Sequence, residues 1–391
     1  MIDTQEFFSR QRRLAELDLK RLQASSALVL GLGNVGGPAA LELARGGVGR
    51  LVLIDKDVVA SANLSRGIFE TTDIGVPKAI AAAARINALV PGVDVTALVA
   101  DSRVDLPETL FSSCDAVLIT TDSWSSRMHA NRWAHALRGN TQVVISGGIR
   151  GLSWDVTSSV PGSGLGCAQC PHGAAIAGAD EEGGCGIAGM AGSPRVDPSV
   201  SFVGAAVAAQ MVTEACVSLG GGGPLFAGRM VSFEYEFGRH LVLAIARDPW
   251  CTGHRRLEKP EDYVVVPARD ISLEDLAGRV ALAIGAEASE VTFSTEREML
   301  RSRTCRGCGA RQAFHRAVVA TMRLAGEPCG QCAGERFDFD VGTDLTPAGG
   351  TLASRGIPPG KAVNAHVRGG TIIVIRKDNE DALAQDQGRN G

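Results

Sequence analysis

Aromatic residues are scarce in this chain: 12 Phe, 4 Trp and 2 Tyr make up 5% of its 391 residues. A core built mainly on stacked rings is therefore excluded, and packing must come from Ala, Val and Leu within a hydrophobic content of 45%, which is ample for one. Charge of one sign is also lacking. With 39 basic and 43 acidic residues the net charge is -4, which argues against nucleic acid or an anionic membrane as the main partner. The opening residues, MIDTQEFFSRQRRL, hold no apolar stretch of signal-peptide length. The most apolar later run, Phe202 to Leu219, contains Gln210 and Glu214 and reads as a buried helix rather than a membrane span. A cytoplasmic protein is the expectation.

Glycine and cysteine, by contrast, are plentiful, at 48 and 10 residues. Six of the cysteines fall in C-x-x-C pairs, which in a reducing compartment suggest metal before disulfide. Cys167 and Cys170 form one zinc half-site, and Cys251-x-x-His254 offers a second. Three thiolates and an imidazole make a sound closed site with no open position, hence a structural one; the alternative for His254 is a surface residue beside Arg255 and Arg256. Cys305, Cys308, Cys329 and Cys332 have the spacing of a zinc ribbon or knuckle, with two redox pairs as the alternative. Two structural Zn2+ ions are thus expected. Cys114 and Cys216 read as core or helix-face residues.

The chain is organised around Ala27 to Arg66. An apolar run, Ala27–Leu30, leads into Gly31, Gly33 and Gly36. A helical pattern follows, then a second apolar run, Leu51–Ile54, ending on Asp55. Strand, glycine turn, helix, strand and acid together describe a nucleotide site. The glycines permit a tight turn and close approach to a phosphate, the helix N-terminus offers unpaired N–H groups, and the acid can hold ribose hydroxyls. This pattern alone fits an NAD-dependent oxidoreductase as well as an ATP user. The continuation favours ATP: Asp55-Lys56-Asp57, then Asn63 and Arg66, then Lys78 supply groups that a dinucleotide does not need.

Strand patterns at 27–30, 51–54, 93–99, 116–120 and 142–146 alternate with helices near 36–46, 76–89 and 124–137. They predict an α/β fold with a Rossmann-like parallel sheet and helices on both faces. Alternating segments at 152–160, 230–237 and 241–246 predict an antiparallel extension, with a Gly-, Pro- and Cys-rich loop at 161–198 and a helix at 202–217. A helix is expected over about 5–23, with Phe7, Leu14, Leu17 and Leu22 on one stripe. From 255 to 391 a second, small zinc-containing α+β module is expected: a strand at 263–267, a helix at 273–284, the four cysteines, a hairpin at 361–376 and a frayed tail from Asp378. The domain boundary is placed at 254/255.

Together the motifs SRQRRL, GLGNVG, LIDKDVVASANLSR, GVPKA, TTDSWSSRMHAN, VISGGIRG, CAQC, CGIAG and DPWCTGH resemble the ThiF/MoeB-like ubiquitin-activating superfamily, from about Phe8 to His254. The resemblance implies an adenylyltransferase that uses Mg-ATP to adenylate the C-terminal glycine of a ubiquitin-like or sulfur-carrier protein. It implies Gly33 and Asn34 on the phosphate turn, Asp55 on the ribose, Asn63, Arg66 and Lys78 on the triphosphate, and Asp122 on Mg2+. Arg10 matches an arginine that reaches into a partner subunit's site, implying a homodimer. Cys185, in EEGGCGIAGMAG, matches a position that in some members forms a thioester or persulfide; a non-catalytic loop cysteine is the alternative. The chain departs from the family's pattern at Asn34, where a third glycine is usual, at Gly67, where Gln is common, and at Ser123, where Asn is frequent.

Two pathways fit this chemistry. One is activation of a ubiquitin-like protein, with transfer through Cys185 to a conjugating enzyme in a bacterial pathway. The other is sulfur-carrier activation in thiamin or molybdopterin metabolism. The oxidoreductase, and a zinc-rich scaffold with an inactive nucleotide site, are alternatives of other classes.

Overall fold

The computed structural model describes residues 4–137, 139–172, 199–254, 263–267, 270–317, 328–334, 336–345, 350–355, 357, 360–367 and 370–377. Cys185 and the tail from Asp378 lie outside them. The chain divides into two compact units, Met1–Arg103 with Leu110–Arg256, and Val104–Thr109 with Leu257–Gly391.

The first unit begins with a single turn, α1 (Thr4–Phe7), and a short helix, α2 (Leu19–Ala24). The continuous helix expected over 5–23 is therefore broken. The reason is Asp18, whose carboxylate accepts the N–H groups of Lys20 and Arg21 and so caps a new helix there. This re-aims the apolar side chains: Leu19 and Leu22 are buried, whereas Leu14 is half exposed.

Eight strands then form one sheet: β1 (Ser26–Leu30), β2 (Arg50–Ile54), β3 (Asp94–Leu98), β4 (Ala116–Ile119), β5 (Val143–Arg150), β6 (Ser153–Ser159), β7 (Arg229–Glu234) and β8 (Arg239–Ala244). Their order is β3-β2-β1-β4-β5-β6-β7-β8, parallel from β3 to β5 and antiparallel from β5 to β8. Four helices connect them: α3 (Gly36–Gly46), α4 (Lys78–Leu89), α5 (Trp124–Ala136) and α6 (Ser201–Val217). The central parallel strands are near-continuous apolar runs because helices cover both of their faces, whereas the edge strand β3 is only partly buried. Leu28–Leu30, Leu51, Leu53, Ala116–Ile119 and Val143–Ile145 are all buried. Right-handed crossovers running outward in opposite directions from β1 and β4 place α3 and α5 on opposite faces. The strand order reverses between β1 and β4, which opens a crevice at their C-terminal ends.

By length and composition the α6 segment could cross a membrane, yet here it packs against α3, β5 and β6. Val203, Val207, Met211 and Ala215 join the core, and buried Glu214 accepts hydrogen bonds from Ser158 and from the N–H groups of Leu225 and Phe226.

The second unit holds a six-stranded sheet: β9 (Tyr263–Pro267), β10 (Thr292–Cys305), β11 (Arg311–Ala317), β12 (Phe337–Asp344), β13 (Val363–Val367) and β14 (Gly370–Lys377). The order is β11-β10-β13-β14-β9, with β12 also paired to β10. One helix, α7 (Leu273–Ile284), is capped by the Ser272 hydroxyl, ends at Gly285 in the left-handed region, and buries Leu276 and Val280. The strand, helix and terminal hairpin stand where the pattern put them. The long β10 and its partners β11 and β12 were not foreseen. The 104–109 segment belongs to this unit because Glu108, almost wholly buried, pairs with Lys361 at 2.6 Å and accepts the Ala362 N–H. Burial pushes the Glu108 carboxyl up, and Lys361 opposes that shift.

Candidate active site and two candidate metal centres

The crevice at the strand-order reversal is a cavity of about 590 Å³. Its floor is the turn after β1. Gly31 has φ +83°, accessible to glycine but costly for other residues. Gly36 opens α3 so close to the turn that a side chain there would overlap the Gly31 carbonyl and the Thr120 hydroxyl. Gly33 differs, with no atom within 4 Å of the place where its Cβ would stand. It keeps the turn's backbone open to the cavity.

Nine of the residues picked from the sequence line this cavity: Gly31, Gly33, Asn34, Asp55, Asp57, Asn63, Arg66, Lys78 and Asp122. Gly36 lies behind the turn. Arg10 is exposed and is not among the lining residues, and Cys185 lies outside the described residues.

Asp55 directly follows β2 and is turned inward. Its Oδ2 accepts the Leu32 N–H at 2.6 Å and its Oδ1 the Asp57 N–H at 2.8 Å. Burial pushes its carboxyl above the ordinary value; Lys78 and the two N–H groups pull the other way. Lys78, the first residue of α4, is buried, and its Nζ lies 2.9 Å from Asp57 Oδ2. Arg66 donates from Nη1 to Ser199 Oγ at 2.8 Å. Asn63 Oδ1 accepts the Ala60 N–H at 2.8 Å.

The three departures from the family's pattern each have a local cause. Asn34 donates from Nδ2 to the Val200 carbonyl at 3.1 Å. The Phe69 ring packs where a Gly67 side chain would begin. Ser123 is the N-cap of α5, accepting the Ser126 N–H at 3.2 Å. Capping is therefore not the task of Asp122, its exposed neighbour on the cavity wall.

Sequence reasoning missed three further charged residues on the wall: Asp101, Arg103 and Arg127. Asp101 accepts from the Arg103 N–H and Nε, at 3.0 and 3.2 Å, and from Lys56 Nζ at 3.1 Å. Burial alone would push its carboxyl up, but Arg103 and Lys56 more than offset this and hold it well below the usual range. Arg103 reaches onward to the Ser125 hydroxyl in the first turn of α5. The -DSR- run after β3 was the available signal. Arg127, inside a helical pattern, gave none.

The cysteine clusters are separate from this cavity. Cys167, Cys170, Cys251 and His254 bring their ligand atoms within 4.8 Å of one another, as do Cys305, Cys308, Cys329 and Cys332. A tetrahedral zinc site with Zn–S bonds of about 2.3 Å has S···S edges of about 3.8 Å. The first cluster shows 3.9 Å for Cys167–Cys170 and for Cys167–Cys251, with Cys170 Sγ 3.3 Å from His254 Nδ1. The second shows 3.5 Å for Cys305–Cys332 and 3.7 Å for Cys308–Cys329. Both donor sets fit a closed tetrahedral zinc. Buried Asn131 on α5 backs the first, donating to Cys167 Sγ at 3.4 Å and to the Gly253 carbonyl at 2.8 Å. The two remaining described cysteines, Cys114 and Cys216, are buried, and burial pushes both thiols up, Cys216 to about 12.

With this geometry in view, the comparison with known proteins is direct. The model of the ThiF family matches residues 8–252. The chain belongs to the ThiF family. The sulfur carrier protein ThiS adenylyltransferase of Escherichia coli is 35% identical over 167 residues, covering 42% of this chain and 65% of that protein. The SAMP-activating enzyme E1 of Haloferax volcanii is 34% identical over 144 residues, covering 36% of this chain and 52% of that one. The probable adenylyltransferase/sulfurtransferase MoeZ of Mycobacterium tuberculosis is 28% identical over 260 residues, covering 64% of this chain and 62% of that one. The chain thus spans 52–65% of the length of these curated relatives. The family match ends at residue 252, so the β9–β14 unit, apart from its 104–109 segment, lies beyond it.

Proposed function

We propose that this ThiF-family chain is an ATP-dependent activating enzyme, which joins AMP to the C-terminal carboxylate of a small glycine-ending protein of the sulfur-carrier or ubiquitin-like kind. The observation that carries this reading is the gathering of the glycine turn, Asp55, Arg66, Lys78 and Asp122 on one cavity at the strand-order reversal. In the reaction, a carboxylate oxygen bonds to the α-phosphorus, the bond from that phosphorus to the bridging oxygen breaks, and pyrophosphate leaves with the electron pair. One anion must approach another, so fixed positive groups are needed where charge gathers.

The chain supplies them. The turn after Gly31 and the N-terminus of α3 present N–H groups to phosphate. Lys78 and Arg66 would hold phosphoryl oxygens, Lys78 exchanging its Asp57 partner for the polyanion. Asp55, already fixed by two N–H groups, retains lone pairs for ribose hydroxyls. Asp122, a carboxylate at the end of β4, is a hard oxygen donor of the kind Mg2+ takes. Bound there, Mg2+ supplies positive charge against the phosphoryl oxygens.

The ATP reading is favoured over a dinucleotide by Lys78 and Arg66 in the cavity and by the names of the relatives. Those relatives include an adenylyltransferase of a sulfur carrier protein and a SAMP-activating enzyme E1, so the acceptor class is kept broad. Homodimer formation through Arg10, a thioester at Cys185, a conjugating partner, a cytoplasmic location and a domain boundary at 254/255 belong to this proposal as its finer parts. The test is ATP–pyrophosphate exchange with small glycine-ending proteins from the same source. Acceptor-dependent exchange that Asp122→Ala abolishes, with its fold retained, supports the reading. Undiminished exchange in that variant removes Asp122 from the metal role, and no exchange with any acceptor overturns the reading.

A further inference from the structure

Sheet order lays out the cavity as a row of subsites. Asp55 and Asp101 follow β2 and β3, the glycine turn follows β1, Asp122 follows β4, and the Gly147–Gly148 pair lies in β5 just past its parallel pairing with β4. A nucleotide running from ribose at Asp55 to phosphates at the turn leaves the β4–β5 end for the second reactant. A cation lining that end is Arg127, in the first turn of α5; Arg103, which reaches Ser125 there, is already paired to Asp101.

Arg127 is 8% exposed, so it is nine-tenths buried yet still lines the cavity. Its Nε donates to the Thr121 carbonyl at 2.6 Å and its Nη1 to Ser146 Oγ at 3.3 Å, which fixes the plane of the guanidinium. Lys78, Lys56 and Arg103 are each ion-paired to a carboxylate. Arg127 is not, among the described residues, and its Nη2 has no acceptor among them. The carboxylate that feels its charge is Asp155, paired to Gly148 across the β5–β6 ladder. The guanidinium lies beside Gly148, where an added Cβ would stand 3.4 Å from Nη1 and 3.6 Å from Nη2. A Cβ on the preceding Gly147 would instead meet Met211 and Val207. This edge of the cavity therefore offers bare backbone and one preorganised positive group.

We infer that Arg127, beside the bare backbone at Gly148, is the subsite that receives the C-terminal carboxylate of the acceptor. This rests on the adenylation reading above and assigns within it the place of the nucleophile. A buried guanidinium already held by two neutral acceptors can take a carboxylate with little reorganisation, and such charge-assisted bonds are the stronger kind. It lowers the repulsion between the incoming anion and the triphosphate. It also brings a carboxylate oxygen toward the phosphates while the balance of the step is unchanged: no proton moves.

The test uses the full-length chain, Mg-ATP, and a glycine-ending acceptor protein that supports exchange, prepared with either a free C-terminal carboxylate or a C-terminal amide. Arg127→Met and Arg127→Lys are compared with the parent. Mg-ATP affinity by calorimetry should stay within about twofold, while the acceptor KM in exchange rises by about 10²-fold for Arg127→Met and less for Arg127→Lys. In binding experiments the free carboxylate should outcompete the amide with the parent, and that preference should vanish in Arg127→Met. A purely structural arginine would not produce that last result. Equal loss for the two acceptor forms, or a matching fall in Mg-ATP affinity, overturns the assignment and leaves Arg127 as a prop for Thr121. A parent chain that binds Mg-ATP but exchanges with no acceptor overturns the adenylation reading, and this assignment with it.

Discussion

Gly36 packs against the carbonyl of Gly31 so closely that a side-chain carbon at Gly36 would overlap its oxygen. Gly33, in the same turn, has open space where its side chain would begin. The two glycines therefore answer to different demands: packing requires Gly36, and on the proposed reading Gly33 leaves room for the nucleotide. Gly36→Ala is expected to destabilise the chain by several kcal/mol or prevent its folding, as overpacking against backbone does. Gly33→Ala should keep the parent melting temperature to within a few degrees and weaken Mg-ATP binding. Thermal melts with and without nucleotide check both, and a Gly33→Ala chain that melts early but binds normally would contradict the division.

Asp101 gives a pH dependence with a definite sign. Its folded value lies below its ordinary 3.8, so the contribution of its Arg103 and Lys56 partners is complete above about pH 4 and is lost as pH falls toward the folded value. Asp101→Asn should cost about 1–3 kcal/mol at neutral pH. The gap between variant and parent should shrink on acidification. Urea unfolding at several pH values measures it, and a gap that widened in acid would reverse the sign.

The two cysteine clusters should each bind one zinc. Elemental analysis is expected to find two zinc ions per chain, falling to one in Cys251→Ser and to one in Cys305→Ser. The two ions should leave independently under a chelator, because their ligands belong to different units. Loss of both from either single variant, or iron in place of zinc, would contradict the assignment.

Glu108 is buried and Lys361 largely so, and removing Glu108 takes from Lys361 the carboxylate it pairs with. Glu108→Ala should destabilise the β9–β14 unit by about 3–5 kcal/mol. The double variant Glu108→Ala with Lys361→Met should recover part of that loss, since it leaves no lone buried charge. Hydrogen exchange resolved by unit gives the readout, and a double variant no better than the single one would argue against the pair.

Much of the first unit could be read directly because its central strands β1, β2, β4 and β5 are largely buried and so read as near-continuous apolar runs, and because Gly31 and Gly36 mark the turn. Two acids on the cavity wall, Asp55 and Asp122, lie just after strands, which made them legible as positions. The N-terminal helix misled because spacing alone cannot show that Asp18 caps a fresh start. The β10 sequence, TFSTEREMLRSRTC, carries no clean alternation, and its partners β11, β12 and β13 follow later in the chain. Arg127 was invisible for a related reason: an arginine in a helix reads as a solvated face until the tertiary fold places Thr121, Ser146 and Gly148 around it. The Glu108–Lys361 pair spans some 250 residues of sequence and left no local trace.

The most direct test of the central claim is product analysis with ATP labelled at the α-phosphate and a glycine-ending acceptor. The account predicts that the label moves onto the acceptor as an adenylate while unlabelled pyrophosphate is released, and that Lys78→Met and Asp122→Ala both stop this. Labelled ADP with free phosphate, or a cavity that binds nicotinamide dinucleotide and leaves ATP intact, would contradict it.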